Sequence, residues 1–123
     1  MVNKRVKYKR VEDVPVWKVA HELTILIYRL TRKFPRSELY GIISQLRRAA
    51  ASIPANISEG FYRGTAKQLV QFLYNARGSL GEVVYFLKLS SDLEYISPKE
   101  YNKLNELCTD IGKQLNGWIK SLK

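Results

Sequence analysis

A chain of 123 residues is long enough to bury one hydrophobic core and too short for two, and its net charge of +10 favours a polyanionic partner. The single cysteine, Cys108, excludes an intramolecular disulfide and a thiolate metal cluster within one chain. No apolar run reaches the ~20 residues of a bilayer span, and no stretch of signal-peptide character follows the basic N-terminus, so a cytoplasmic protein without membrane contact is expected.

Residues 1–12 are basic and aperiodic and read as a flexible arm. Lys4, Arg5, Lys7, Lys9 and Arg10 put five positive charges into the first ten residues with no acid among them. A single domain is expected over residues 13–123. Asp13-Val14-Pro15 reads as a helix start, with proline where a missing donor costs little. The first helix is expected to run to about Lys33, with Val16, Val19, Ala20, Leu23, Ile27 and Leu30 as its stripe. Ile25, Leu26 and Tyr28 make that stripe broader than one core needs, and Phe34-Pro35 ends it.

Ser37 is the expected cap of a second helix, from Glu38 to about Gly60. Its stripe is Leu39, Ile42, Leu46, Ala50, Ile53, Ile57 and Phe61. Pro54 predicts a kink. Ser44, Ala51, Ser52 and Ala55, all small, lie away from the stripe and predict that another backbone comes close. Gly60 and Gly64 read as turn punctuation. Thr65-Ala66-Lys67-Gln68 reads as a capping box opening a third and longest helix, through about Tyr95. That helix carries one stripe of Leu69, Phe72, Leu73, Ala76, Leu80, Val83 and Leu87, and a second begun by Val70, Tyr74, Val84 and Tyr85. Gly78 and Gly81, poor helix formers, predict a closely packed neighbour there.

Ser97-Pro98-Lys99-Glu100 is another capping box, opening a fourth helix with Tyr101, Leu104, Cys108, Ile111, Leu115, Trp118 and Leu122 along a seam. Nothing reads as a strand, and the connections are short. The pattern predicts an all-α, up-down-up-down antiparallel four-helix bundle.

No catalytic constellation emerges. A di-iron bundle needs paired Glu-x-x-His motifs, and the one histidine, His21, adjoins Glu22. Cys108 sits at a seam position, as a small buried hydrophobe would. Gly60 to Thr65 lacks the Gly-Lys-Ser/Thr ending of a phosphate loop. Glu59 and Glu82 read as partners for nearby arginines. The protein is therefore expected to be no enzyme and to hold no cofactor and no metal. Its candidate function lies in the basic side chains: Lys4, Arg5, Lys7, Lys9, Arg10, Arg47, Arg48, Arg63, Lys67 and Arg77 are the candidate nucleic-acid-binding residues, since Lys and Arg bind phosphate through charge. Tyr8 and Tyr62 are candidates to stack on an unpaired base. The broad first stripe, the doubled third and the small outer face of the second helix exceed what one bundle covers, predicting a symmetric homo-oligomer of unspecified copy number.

Several segments together resemble a known family. They are Leu46-Arg47-Arg48-Ala49, the run Ser52-Ile53-Pro54-Ala55-Asn56-Ile57-Ser58-Glu59-Gly60, and Gly78-Ser79-Leu80 with Glu82. The opening Val16-Trp17-Lys18-Val19-Ala20-His21-Glu22-Leu23 and the Phe34-Pro35 helix end are similar too. The family is the small bacterial four-helix-bundle family named for the protein encoded in the intervening sequence of 23S ribosomal RNA. It includes relatives of the accessory variability determinant of diversity-generating retroelements. The resemblance covers nearly the whole chain after the first dozen residues. It implies a homopentamer with a central channel. Its partner would be ribosomal RNA or the ribosome on the first branch, which the Ser52-to-Gly60 run fits better, and a reverse transcriptase with its template RNA on the second. The expected function is a non-enzymatic, nucleic-acid-binding adaptor with RNA favoured. The alternative is a protein-interaction scaffold whose charge serves solubility or an acidic protein partner.

Overall fold

Proline at the first helical position, where its missing N–H leaves nothing unsatisfied, opens both the first and the last helix of the chain. The computed structural model describes residues 7–123; Lys4 and Arg5 lie outside the described residues. Four α-helices follow one another: α1 Pro15–Thr31, α2 Ser44–Phe61, α3 Ala66–Asp92 and α4 Pro98–Leu122. No strand occurs among the described residues. Each helix packs on the next and α4 returns to α1, the arrangement of an antiparallel four-helix bundle.

The entry to α2 departs from expectation. Ser37 caps nothing; a short 3-10 turn, Arg36–Glu38, leads into a π-helical turn, Leu39–Ile43. Glu38 is the cap. Its Oε1 accepts the Ile42 N–H at 3.3 Å and its Oε2 accepts the Tyr95 hydroxyl at 2.8 Å, tying this connection to the end of α3. The wide turn lets Ile42 and Ile43 both reach the core. α2 runs as one helix through the buried Pro54, and the turn that leads into it departs from helical dihedrals at Gly41 (φ −111°, ψ −114°).

Thr65 Oγ1 accepts the Gln68 N–H at 3.1 Å, but the Gln68 side chain turns to the Thr65 hydroxyl, so this capping box is half made. At the other end of α3, Glu94 takes a left-handed conformation (φ 62°). The Tyr95 and Glu94 N–H groups bond back to the carbonyls of Ser90 and Ser91, the bonding pattern of a Schellman cap. The Ser97–Glu100 box is complete: Glu100 N–H donates to Ser97 Oγ and Ser97 N–H to Glu100 Oε1. Glu100 Oε2 also takes Lys33 Nζ at 2.9 Å, joining the start of α4 to the end of α1. The Ser97 N–H first, and Lys33 second, hold the Glu100 carboxyl below its usual range.

The four stripes meet in one core. Leu23, Ile27, Leu46, Ile53, Ile57, Leu69, Leu73, Leu87, Ile111 and Leu115 are fully buried, each burial stabilising by about 1.5–3 kcal/mol. At the end of α4 the seam passes through Ile119, and Trp118 is only half-buried. Two core hydroxyls bond back along their own helix: Thr24 donates to the Ala20 carbonyl and Thr31 to that of Ile27. Thr24 Oγ1 is also 3.1 Å from the Ala50 carbonyl, binding α1 to α2. Residues 7–12, read as part of a flexible arm, lie on the bundle, with Tyr8 against the core and Val11 buried in a 3-10 turn.

The small residues of α2 divide between two neighbours. On the α3 side the Ser52 and Ser79 hydroxyls are hydrogen bonded at 2.8 Å. Gly60 is a contact glycine and not turn punctuation: a Cβ there would lie 2.8 Å from Phe72 Cβ and 3.0 Å from Leu69 Cδ1. Among the described residues no glycine has positive φ. Ala51 and Ala55 lie against α1 across a shallow cleft. Gly78 and Gly81, expected to meet a packed neighbour, are exposed, with nothing within 4 Å of a Cβ at either.

Gly60→Ala is therefore expected to destabilise the fold, its overpacking cost of about 1–3 kcal/mol exceeding the gain in helix propensity. Gly78→Ala and Gly81→Ala should each stabilise it by about 0.5–1 kcal/mol. Urea unfolding of the three variants compares them directly. A second expectation concerns Cys108, whose thiol burial pushes up to about 12. The native protein should resist a thiol reagent at pH 8 and react promptly once unfolded, as a timed labelling experiment would show.

Candidate nucleic-acid interface

Antiparallel alternation gathers four chain segments at one end of the bundle: the start of α1, the end of α2, the start of α3 and the end of α4. Side chains confirm the grouping. Trp17 Nε1 on α1 donates to Ser58 Oγ on α2 at 2.9 Å. The Val11 N–H reaches the Tyr62 hydroxyl at 3.4 Å. Lys123 Nζ, from the last residue, donates to the Tyr74 hydroxyl at 2.9 Å. Lys7, Lys9, Arg10, Arg63, Lys67, Lys120 and Lys123 all belong to this end, where the nearby acids are Glu12, Asp13 and Glu59. The opposite half carries Arg29, Arg32, Lys33, Arg36, Arg47, Arg48, Lys88, Lys99 and Lys103, offset by seven acids, Glu38, Glu82, Asp92, Glu94, Glu100, Glu106 and Asp110. The positive excess is thus polarised along the bundle axis, and such a field draws polyanions to one end.

The candidate residues differ in how free their charge is. Lys9 and Lys67 are exposed. Lys7 lies over the Tyr8 ring at 5.5 Å, and Arg10 meets Asp13 at 3.7 Å, both at the surface. Arg63 pairs with Glu59 at 2.8 Å and lies 5.0 Å from the Phe72 ring centre. Arg77, further along α3, donates to Asn116 Oδ1 at 3.0 Å and lies 4.8 Å from the Tyr74 ring centre. Arg48 is exposed on α2 beside Gln45. Arg47 is different: half-buried, it donates from Nε to Thr31 Oγ1 (2.8 Å) and from Nη2 to the Tyr28 carbonyl (3.1 Å), and stacks on the Tyr28 ring at 4.7 Å. Its charge sits at the C-terminal end of α1, where the helix dipole favours a cation. Arg47 ties α1 to α2.

Lys120 and Lys123 escaped the sequence reading. Only the antiparallel pairing of α3 with α4 carries the last turn of the chain to Tyr74 and Arg77. The hydrogen bond from Lys123 Nζ draws the Tyr74 phenol below its ordinary range, and the charges of Lys123 and Arg77 act in the same direction. The signal was available as a count of lysines in the final turn, once the bundle topology was accepted. Of the two candidate stacking tyrosines, Tyr62 is 64% exposed and Tyr8 is half-buried.

Two other groups considered for chemistry, His21 and Glu59, have structural surroundings. His21 lies flat on Trp17, ring centres 4.9 Å apart at 15°. Glu59 is engaged by Arg63. No group of three His, Cys, Asp or Glu among the described residues is placed to hold a metal ion. No described helix is long and apolar enough to cross a membrane.

Comparison with known proteins adds to this picture. A solved structure described as a protein of unknown function from the S23 ribosomal protein family of Bacteroides thetaiotaomicron VPI-5482 superposes with a TM-score of 0.77. It is 27% identical, and the alignment covers 85% of this chain and 98% of that one. No curated protein matches. Residues 12–117 match the family described as 23S rRNA-intervening sequence protein. The match takes in all of α1, α2 and α3 and most of α4, and the chain belongs to the 23S rRNA-intervening sequence protein family.

Proposed function

We propose that the protein is a non-enzymatic RNA-binding adaptor whose basic end neutralises the phosphates of an RNA backbone. The carrying observation is the convergence of three separate segments, residues 7–10, the α2–α3 turn and the last turn of α4, on one end of the bundle. Each phosphate contact is weak alone, and contacts from several segments act together without reading sequence. Ribosomal RNA or the ribosome ranks ahead of a reverse transcriptase and its template, because both matches carry ribosomal names. Ile25, Tyr28, Val84 and Tyr85 are large, apolar in character and exposed, which supports self-association. The resemblance suggests five copies. Five basic ends in one particle would multiply weak phosphate contacts through avidity.

A salt titration tests the reading. Affinity for structured RNA should fall steeply with salt. Lys67→Glu, Lys120→Glu and Lys123→Glu should each flatten the slope of log affinity against log salt by roughly one. Absence of binding at low salt, or an unchanged slope in the triple variant, overturns the proposal. Arg47→Ala should behave differently, costing about 2 kcal/mol of stability through its lost hydrogen bonds. Its slope should stay near that of the parent.

A further inference from the structure

On the outer side of the α2–α3 contact lies a polar cleft of about 230 Å³, lined by Gln45, Arg48, Ala49, Ser52 and Glu82. Hydrogen bonds fix its base. The Ser52 and Ser79 hydroxyls are 2.8 Å apart across the two helices. Asn56 Nδ2 donates to Ser52 Oγ at 3.0 Å and to the Ser52 carbonyl at 2.8 Å. Ala49 is buried and small, and its methyl group leaves room that a longer side chain would take. Arg48, Ser52, Asn56, Ser79 and Glu82 all come from the runs that carry the family resemblance, and the basic end uses none of them.

Two opposite charges line this cleft without meeting. Glu82, expected to pair with an arginine, makes no ion pair and no hydrogen bond among the described residues. Arg48, on the facing helix, is exposed, and its one partner is Gln45 Oε1 on the same helix at 3.3 Å. Most of its N–H donors are therefore uncommitted. The cleft offers a fork of donors from α2 and two acceptor oxygens from α3. That combination sets it apart from the basic end, whose cations match any phosphate and no base in particular.

We infer that this cleft reads an unpaired guanine of the RNA that the basic end holds. The inference rests on the RNA-binding reading and adds a base preference to it. On its Hoogsteen edge guanine presents two acceptors, O6 and N7, which one guanidinium meets with two N–H groups. On its Watson–Crick edge the N1–H and the N2 amino group donate to a carboxylate. Adenine puts an amino group where Arg48 donates and an unprotonated N1 where Glu82 accepts. Neither pyrimidine has both pairs. In a duplex the Watson–Crick edge of guanine is bonded to cytosine, so only an unpaired guanine shows both edges. Arg48 lies about 20 Å along α2 from Phe61 and the basic turn. A short single strand with its phosphates on Lys67 spans that distance.

Adenosine hexamers carrying one guanosine test each edge separately. The guanosine hexamer should bind about tenfold more tightly than all-adenosine RNA. Inosine in its place lacks the N2 amino group, and 7-deazaguanosine lacks N7; each should weaken binding several-fold. Glu82→Gln should bind the guanosine and inosine hexamers alike, and Arg48→Ala the guanosine and 7-deazaguanosine hexamers alike, with circular dichroism unchanged. Without RNA the two substitutions should be additive in urea unfolding. Coupling between them would mean that the two side chains neutralise each other, and overturns the inference. Equal affinity for all hexamers, or a guanosine preference that survives both substitutions, also overturns it and leaves the basic end standing. A change of oligomer mass in either variant assigns the cleft to a second copy of the chain and overturns it too. Guanosine monophosphate that competes as well as the hexamer upholds the guanine cleft and makes a free nucleotide its occupant. If no RNA binds at low salt, the RNA-binding reading fails, and the cleft inference fails with it unless guanosine monophosphate binds alone.

Discussion

Where α2 meets α3 there is no room for a methyl group on Gly60, which sits against Phe72 and Leu69, and the Ser52 and Ser79 hydroxyls close the same contact further along. This close approach determines how the chain turns between the two helices, and so where Arg63 and Lys67 stand. It also directs α3 across the bundle so that Tyr74 and Arg77 meet the last turn of α4. Core burial supplies most of the stability, but many arrangements of four amphipathic helices would bury similar area. The tight α2–α3 contact picks one of them, because dispersion and hydrogen bonds fall away quickly when backbones separate.

Charged residues divide into two groups with different work. Arg47 and Glu38 are tied to named partners on other elements and hold α1, α2 and the end of α3 in place. Lys9, Lys67 and Lys120 stand at the surface of one end. The division matters because a guanidinium that already satisfies a carbonyl and a hydroxyl has little left to offer a phosphate. Two adjacent arginines, Arg47 and Arg48, look alike in sequence, yet one faces α1 and the other faces solvent beside Gln45. The helical turn of about 100° between neighbours separates them.

Polarity of charge along the axis follows from topology. Helices that alternate in direction bring the first segment, one inner turn and the last residues together, so basic clusters far apart in the chain become one surface. The same alternation puts the other turns, with their acids, at the opposite end, where Glu100 completes a cap and pairs with Lys33. A bundle with one basic end is consistent with the proposed handling of RNA, and family membership gives that proposal its ribosomal direction.

The helices, their stripes and the bundle were legible in the residues, because apolar spacing of three and four has few other physical solutions and capping boxes mark helix starts. The resemblance carried by the Ser52-to-Gly60 run proved to be membership in the family. What the chain could not show was which small residues meet a neighbour. Gly60 does and Gly78 and Gly81 do not, though helix propensity treats all three alike. Nor could it separate Arg47 from Arg48, or show that Lys123 reaches Tyr74. Sequence by itself determined the elements, since periodicity and capping are local properties of a few turns. The tertiary structure alone decided which charges remain free and which segments share an end, because those depend on contacts between residues dozens of positions apart.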